Sequence, residues 1–235
     1  MNSLSVTRLI AAKDLRIELR SRILINQVLP FAAIVMVLFA FALDRDDLLA
    51  RVAPGLVWLA TLFSMMVVVQ RSFAIEAGDG ALDALRTAGV PAQGIYFGKA
   101  LALTLQLVLL EALLFVAAFV LYSSRVDLDG VVLLITSALA ASCGLGLVGT
   151  LYGGLTTGTT GRESLLPLLL LPVVAPVLIG ATRATEAALD VGGISMREGW
   201  AWVALLVTYA LLFGIGGPVR LAPWRPTRRS RSSTT

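Results

Sequence analysis

Six long apolar runs decide what this chain can become. They occupy residues 23–43, 52–69, 100–122, 131–155, 165–182 and 200–219. An α-helix of about 20 apolar residues crosses the hydrocarbon core of a bilayer. The expected fold is therefore an all-α membrane protein with six transmembrane helices between residues 23 and 219. Charged residues make up only 14% of the chain, against about 25% in soluble domains. The first run ends in "AFA", which mimics a signal-peptidase site. Its apolar part is too long for a secretory signal, and a charged leader precedes it, so it reads as a retained span.

The Lys and Arg residues orient the spans, because cytoplasmic connections carry the excess of positive charge. Five lie in the N-terminal segment (Arg8, Lys13, Arg16, Arg20, Arg22) and five in the tail from Arg220. Arg71, Arg86, Lys99 and Arg162 lie in the second and fourth connections. The odd-numbered connections hold only Arg45, Arg51, Arg125, Arg183 and Arg197. Fourteen against five places both termini and the second connection in the cytosol. Residues 1–22 are expected to form a cytosolic interfacial helix along the inner leaflet, although their apolar residues make no clean stripe. Residues 220–235 read as a disordered basic tail that anchors topology and grazes anionic lipid. A nucleic-acid arm is the alternative for that tail, and the overall charge pattern argues against a nucleic-acid partner.

Two glycine motifs fail on context. "GLGLVG" (Gly144, Gly146, Gly149) has the dinucleotide spacing but sits inside the fourth span, with no strand before it. Close helix packing is its physical reading, with Gly149 and Gly153 as a small-xxx-small pair. "GIYFGKA" (residues 94–100) has the wrong spacing for a phosphate loop and lacks the hydroxyl after Lys99. The chain has no His and a single Cys, Cys143. It is expected to hold no metal or cofactor directly and to catalyse no reaction itself.

One connection is more elaborate than the rest: "EAGDGALDALRTAG", residues 76–89. Asp79 is placed to cap a helix N-terminus. Asp83 and Arg86 suit its dipole, and Gly89 followed by Pro91 ends it. Leu82 and Leu85 share one side. A helix this short is marginal alone, since isolated helices below about 12–15 residues rarely hold in water. It must lie on the membrane surface or dock a partner.

The chain resembles a known family at three places. "RVAPGLVWLATLFSMMVVVQRSF" (residues 51–73) opens the second span. "DGALDALRTAGVPAQGIYFGKAL" (79–101) follows it, and "LLPLLLLPVVAPVLIGAT" (165–182) forms the fifth. A capped cytosolic helix between spans two and three is similar to the coupling helix of ABC-2-type permeases. The three stretches together resemble CcmB, the haem-exporter permease of cytochrome c maturation. The resemblance implies a six-span permease in the bacterial inner membrane, with a CcmA-type ATPase docking on Glu76, Asp79, Gly80, Leu82, Asp83, Leu85, Arg86 and Gly89. It also implies a CcmC-type haem-handling subunit, a CcmD-type small subunit and a CcmE-type haem chaperone. ATP would be bound by the partner subunit, and haem would be associated with the complex.

Inside the membrane, Glu111 stands near the middle of the third span, where an ionised carboxylate costs about 2.5–3.5 kcal/mol. It is expected to be protonated or paired, with Gln106 and Thr104 on the same helix. Its role is either a functional polar contact or a hydrogen bond to Thr136, Ser137 or Ser142. Pro167, Pro172 and Pro176 each remove a backbone bond from the fifth span, which predicts a kinked or broken helix facing protein. The longest outer connection, residues 183–200, is the expected external partner surface, with a short helix before Gly192. Two other readings stay open: an ABC-2 permease for another lipid-like or drug cargo, and an ATP-independent carrier centred on Glu111.

Overall fold

The structure, a computed structural model, describes residues 2–22, 24–43, 46–78, 84, 87–122, 126–155 and 162–221. Seven α-helices and no strand lie among them: α1 (Ser3–Ser21), α2 (Leu29–Ala42), α3 (Asp46–Gly78), α4 (Ala92–Tyr122), α5 (Leu128–Leu155), α6 (Arg162–Ala188) and α7 (Met196–Leu221). Helices α3 to α7 are each long and apolar enough to cross a membrane. The first expected span is the exception. It consists of a five-residue π-helical turn, Leu24–Val28, running into the 14 residues of α2. This segment is bent by 48° from α1. Arg22 makes the bend, with φ +52° and its N–H bonded to Glu18 O at 2.8 Å.

Helix α5 is the centre of the bundle, and its small residues explain why. Gly149 faces Met65, Val69 and Leu103, and a Cβ there would come within 2.6 Å of Met65 Cε. Gly153 faces the Phe73 ring, at 2.5 Å from the same hypothetical atom. Gly144 lies against Tyr209. The glycines of "GLGLVG" thus admit α3, α4 and α7 to close contact, as small residues do between membrane helices. Buried donors tie the other elements together. Trp58 Nε1 donates to Thr185 Oγ1 at 2.9 Å, joining α3 to α6. The Tyr96 hydroxyl on α4 lies 3.1 Å from Leu147 O on α5 and 3.0 Å from Phe213 O on α7.

Several helices outrun their apolar runs. α3 continues to Gly78, so Glu76 is the last turn of a span and not part of a loop. α6 continues to Ala188, which absorbs the short helix expected before Gly192 and reduces the outer connection to residues 189–195. Hydropathy marks where lipid ends, whereas a helix ends where its backbone is capped. For α6 the cap is a left-handed Asp190 (φ +50°), with Val191 N–H bonded to Glu186 O and Asp190 N–H to Ala187 O. This is the Schellman arrangement. For α7 it is a reciprocal capping box. Ser195 N–H donates to Glu198 Oε2 at 3.0 Å, and Glu198 N–H donates to Ser195 Oγ at 3.3 Å.

The prolines do not break α6. The helix is continuous through Pro167, Pro172 and Pro176, because each ring removes one bond and leaves those around it intact. Pro172 and Pro176 lie on the exposed side of the isolated chain. The Tyr209 hydroxyl of α7 donates to Val173 O at 2.7 Å between them.

Candidate functional site

The expected coupling residues Asp79, Gly80, Leu82, Asp83, Leu85 and Arg86 lie outside the described residues, as does the side chain of Glu76. The end of that connection is described. Ala88 N–H bonds Ala84 O at 3.0 Å, and Gly89 follows with φ +72°. Pro91 then accepts bonds from the N–H groups of Gly94 and Ile95 and starts α4.

Helix α1 is docked at this same end of the bundle. Its buried residues are Val6, Ile10, Ala11 and Asp14, a stripe at helical spacing whose last member is charged. Two glycines of α4 receive it. A Cβ at Gly94 would lie 2.7 Å from Val6, and one at Gly98 would lie 2.7 Å from Ile10 and 2.9 Å from Thr7 O. "GIYFG" is therefore a groove for a crossing helix. The expected interfacial helix packs on protein along one face, while Leu4, Leu9 and Leu19 remain exposed on others.

The next residue of α4 locks this contact. Lys99 is 3% exposed. Its ammonium donates to Asp14 Oδ2 at 3.2 Å and to Ser72 Oγ at 3.1 Å, and lies 4.7 Å from the Phe73 ring centroid. Lys99 thus holds α1, α3 and α4 in one knot. Sequence reading took it for a topology charge. The signal for its structural role was Asp14, an acid on the leader's apolar stripe.

Beside the knot is a cavity of about 190 Å³, lined by Asp14, Glu18, Arg71, Lys99, Gln106 and Thr150 among others. Gln106 therefore faces α1 and α3. Glu111 faces a different neighbour. It is 1% exposed and lies beside Ser142 of α5. Neither Glu111 oxygen nor Ser142 Oγ has a well-formed hydrogen bond among the described residues. Thr136 and Ser137 are spent on their own helix, donating to carbonyls of residues 132–134. Thr104 does belong to the Glu111 side, donating to Ser142 O at 3.4 Å.

Comparison with known proteins decides the family. The sequence profile of "CcmB protein" matches residues 5–218. The chain is 33% identical over 223 residues to "Heme exporter protein B" of Rhodobacter capsulatus, covering 92% of this chain and 94% of that protein. It is 32% identical to the proteins of the same name from Paracoccus denitrificans and Escherichia coli, each covering 74% of this chain and 79% of the relative. This chain belongs to the CcmB family. In this CcmB chain the matched region takes in both the α1 knot and the 79–91 connection. It also takes in every apolar helix, so the family assignment and the multi-pass fold describe the same residues.

Proposed function

We propose that this CcmB chain is the membrane permease subunit of an ABC complex for haem export or haem-chaperone handling in c-type cytochrome biogenesis. The observation that carries the reading is the 33% identity to "Heme exporter protein B" of Rhodobacter capsulatus over 92% of this chain and 94% of that protein. In this reading the chain catalyses nothing itself. A separate CcmA-type subunit hydrolyses ATP and seats on residues 76–89, through Glu76, Asp79, Gly80, Leu82, Asp83, Leu85, Arg86 and Gly89. CcmC-type and CcmD-type membrane subunits complete the complex, and a CcmE-type chaperone receives haem on the other side. The chain sits in the bacterial inner membrane with both termini cytosolic.

The packing supports a mechanical route. The 79–91 connection joins α3 to α4, and those two helices are held to each other and to α1 through Lys99. A push delivered there reaches three helices at once, and α4 carries it on towards Glu111. The test is copurification from membranes. The wild-type chain should bring down an ATPase subunit. Reversal of both charges, Asp83→Arg with Arg86→Asp, should reduce that recovery while the chain stays in the membrane. Crosslinks from Leu82 and Leu85 that reach only phospholipid would remove the docking role.

A further inference from the structure

The cavity beside Lys99 has the properties of a binding site that the proposed transport role does not use. Its wall mixes charged and apolar groups. Val68, Val69, Ala102 and Leu103 provide the apolar side, and Lys13, Asp14, Glu18, Arg71 and Lys99 the charges. Lys99 is already engaged by Asp14 and Ser72, and Lys13 pairs with Asp14 at 3.2 Å. Arg71 is different. Its Nε is buried without a partner among the described residues, although two carboxylates line the same cavity. Gln106 is 7% exposed, and its Oε1 also lacks a partner among the described residues. A buried guanidinium N–H donor and a buried amide oxygen acceptor without partners each carry a desolvation cost, which a ligand offering both an acceptor and a donor would remove.

We infer that this cavity binds the headgroup of a membrane phospholipid, with Arg71 donating to its phosphate as the main contact and Gln106 Oε1 accepting from an N–H or O–H donor elsewhere in the headgroup. A guanidinium matches phosphate oxygens in geometry and charge. A cavity of about 190 Å³ holds several waters, which is room for a headgroup and not for a whole lipid. The acyl chains would leave along the apolar wall. The two carboxylates make the lining mixed in sign, which suits a headgroup carrying both charges better than a bare anion. The site lies where α1 crosses the ends of α3 and α4, the level at which apolar spans give way to charged residues.

The test is native mass spectrometry of the full chain, extracted with its complex and stripped stepwise with detergent. The probes are phosphatidylethanolamine, phosphatidylglycerol and inorganic phosphate, each added back separately. One phospholipid should be retained per chain after bulk lipid is gone. Arg71→Gln should weaken retention roughly tenfold or more, the scale of a lost hydrogen bond to a charged group. Arg71→Lys should restore part of it, and Gln106→Leu should weaken it less. Unchanged elution and helical circular dichroism separate a binding defect from misfolding. Inorganic phosphate that binds alone and displaces the lipid would keep Arg71 as a phosphate contact and assign the source to solution. Equal retention by wild type and Arg71→Gln, or no binding of any of the three probes, overturns the inference.

Discussion

Replacing Asp14 with alanine tests what holds α1 to the bundle. The substitution removes the carboxylate 3.2 Å from a lysine that is 3% exposed. Lys99 keeps Ser72 and the face of Phe73 but loses the Asp14 carboxylate. Breaking a buried ion pair from one side costs about 3–5 kcal/mol. Asp14 itself is at the rim, with 9% of its side chain exposed, so the lower end applies. A loss of about 3 kcal/mol raises the undocked fraction of α1 by about a hundredfold. Ala11, 4% exposed on the docked face, reports this when changed to cysteine in a Cys143→Ala background. Maleimide labels it only when α1 lifts, so the labelling rate follows the undocked population. Asp14→Ala should speed labelling by that factor. Lys99→Met should do so less, because Asp14 retains Lys13 at 3.2 Å. The double change Asp14→Leu with Lys99→Met should return near the wild-type rate, since neither residue then carries a buried unpaired charge. A double variant as fast as Asp14→Ala, or an Asp14→Ala rate equal to wild type, would refute the claim that the pair fastens α1.

Three further outcomes follow from the same packing. Gly153→Ala places a Cβ at 2.5 Å from the Phe73 ring and should lower the thermal midpoint in detergent by the equivalent of about 1–3 kcal/mol. Its neighbour Gly154 meets Phe73 only at 3.8 Å, so Gly154→Ala should leave the midpoint unchanged or raise it. Glu111→Gln keeps the side-chain shape where neither oxygen has a partner among the described residues, so membrane levels should hold while c-type cytochrome output falls. Unaltered output would remove any role for that carboxyl group. Ser195→Ala deletes one half of the α7 capping box and should cost about 1 kcal/mol, read as faster proteolysis of the 189–195 connection.

The spans were legible because bilayer thickness forces apolar runs of fixed length. Five of the six runs became helices that cross by length and composition, and all of them lie within α3–α7. What sequence reading missed lies at the ends. Gln70–Ile75 is helical although Arg71 interrupts the apolar run, since a charge ends a hydropathy window without ending a helix. The capping box was readable in "SMRE", a serine three residues before a glutamate. The docking of α1 was harder to see. Its stripe reads Val6, Ile10, Asp14, and an aspartate in a buried position spoils any search for apolar periodicity. The matching signal lay on α4, where Gly94 and Gly98 stand four apart, and it was read as a failed phosphate loop.

The contact between α1 and α4 bears on how the chain works. A glycine pair, a buried lysine and a buried aspartate gather at the end of the bundle that also carries the 79–91 connection. None of them is needed to cross a membrane. The glycines let α1 approach to backbone distance, and that contact alone would allow α1 to slide. The Asp14–Lys99 pair fixes the register, and Ser72 adds α3 to it. If force enters through residues 76–89, as proposed, α4 cannot move against its two partners without Lys99 giving up either Asp14 or Ser72. The first exchange frees α1 and the second frees α3. The two therefore predict opposite behaviour of the Ala11 label during ATP turnover. Labelling that speeds with turnover identifies α1 as the moving part. Labelling that stays slow while a cysteine at Ser72 becomes reactive identifies α3, with α1 riding on α4 as one body.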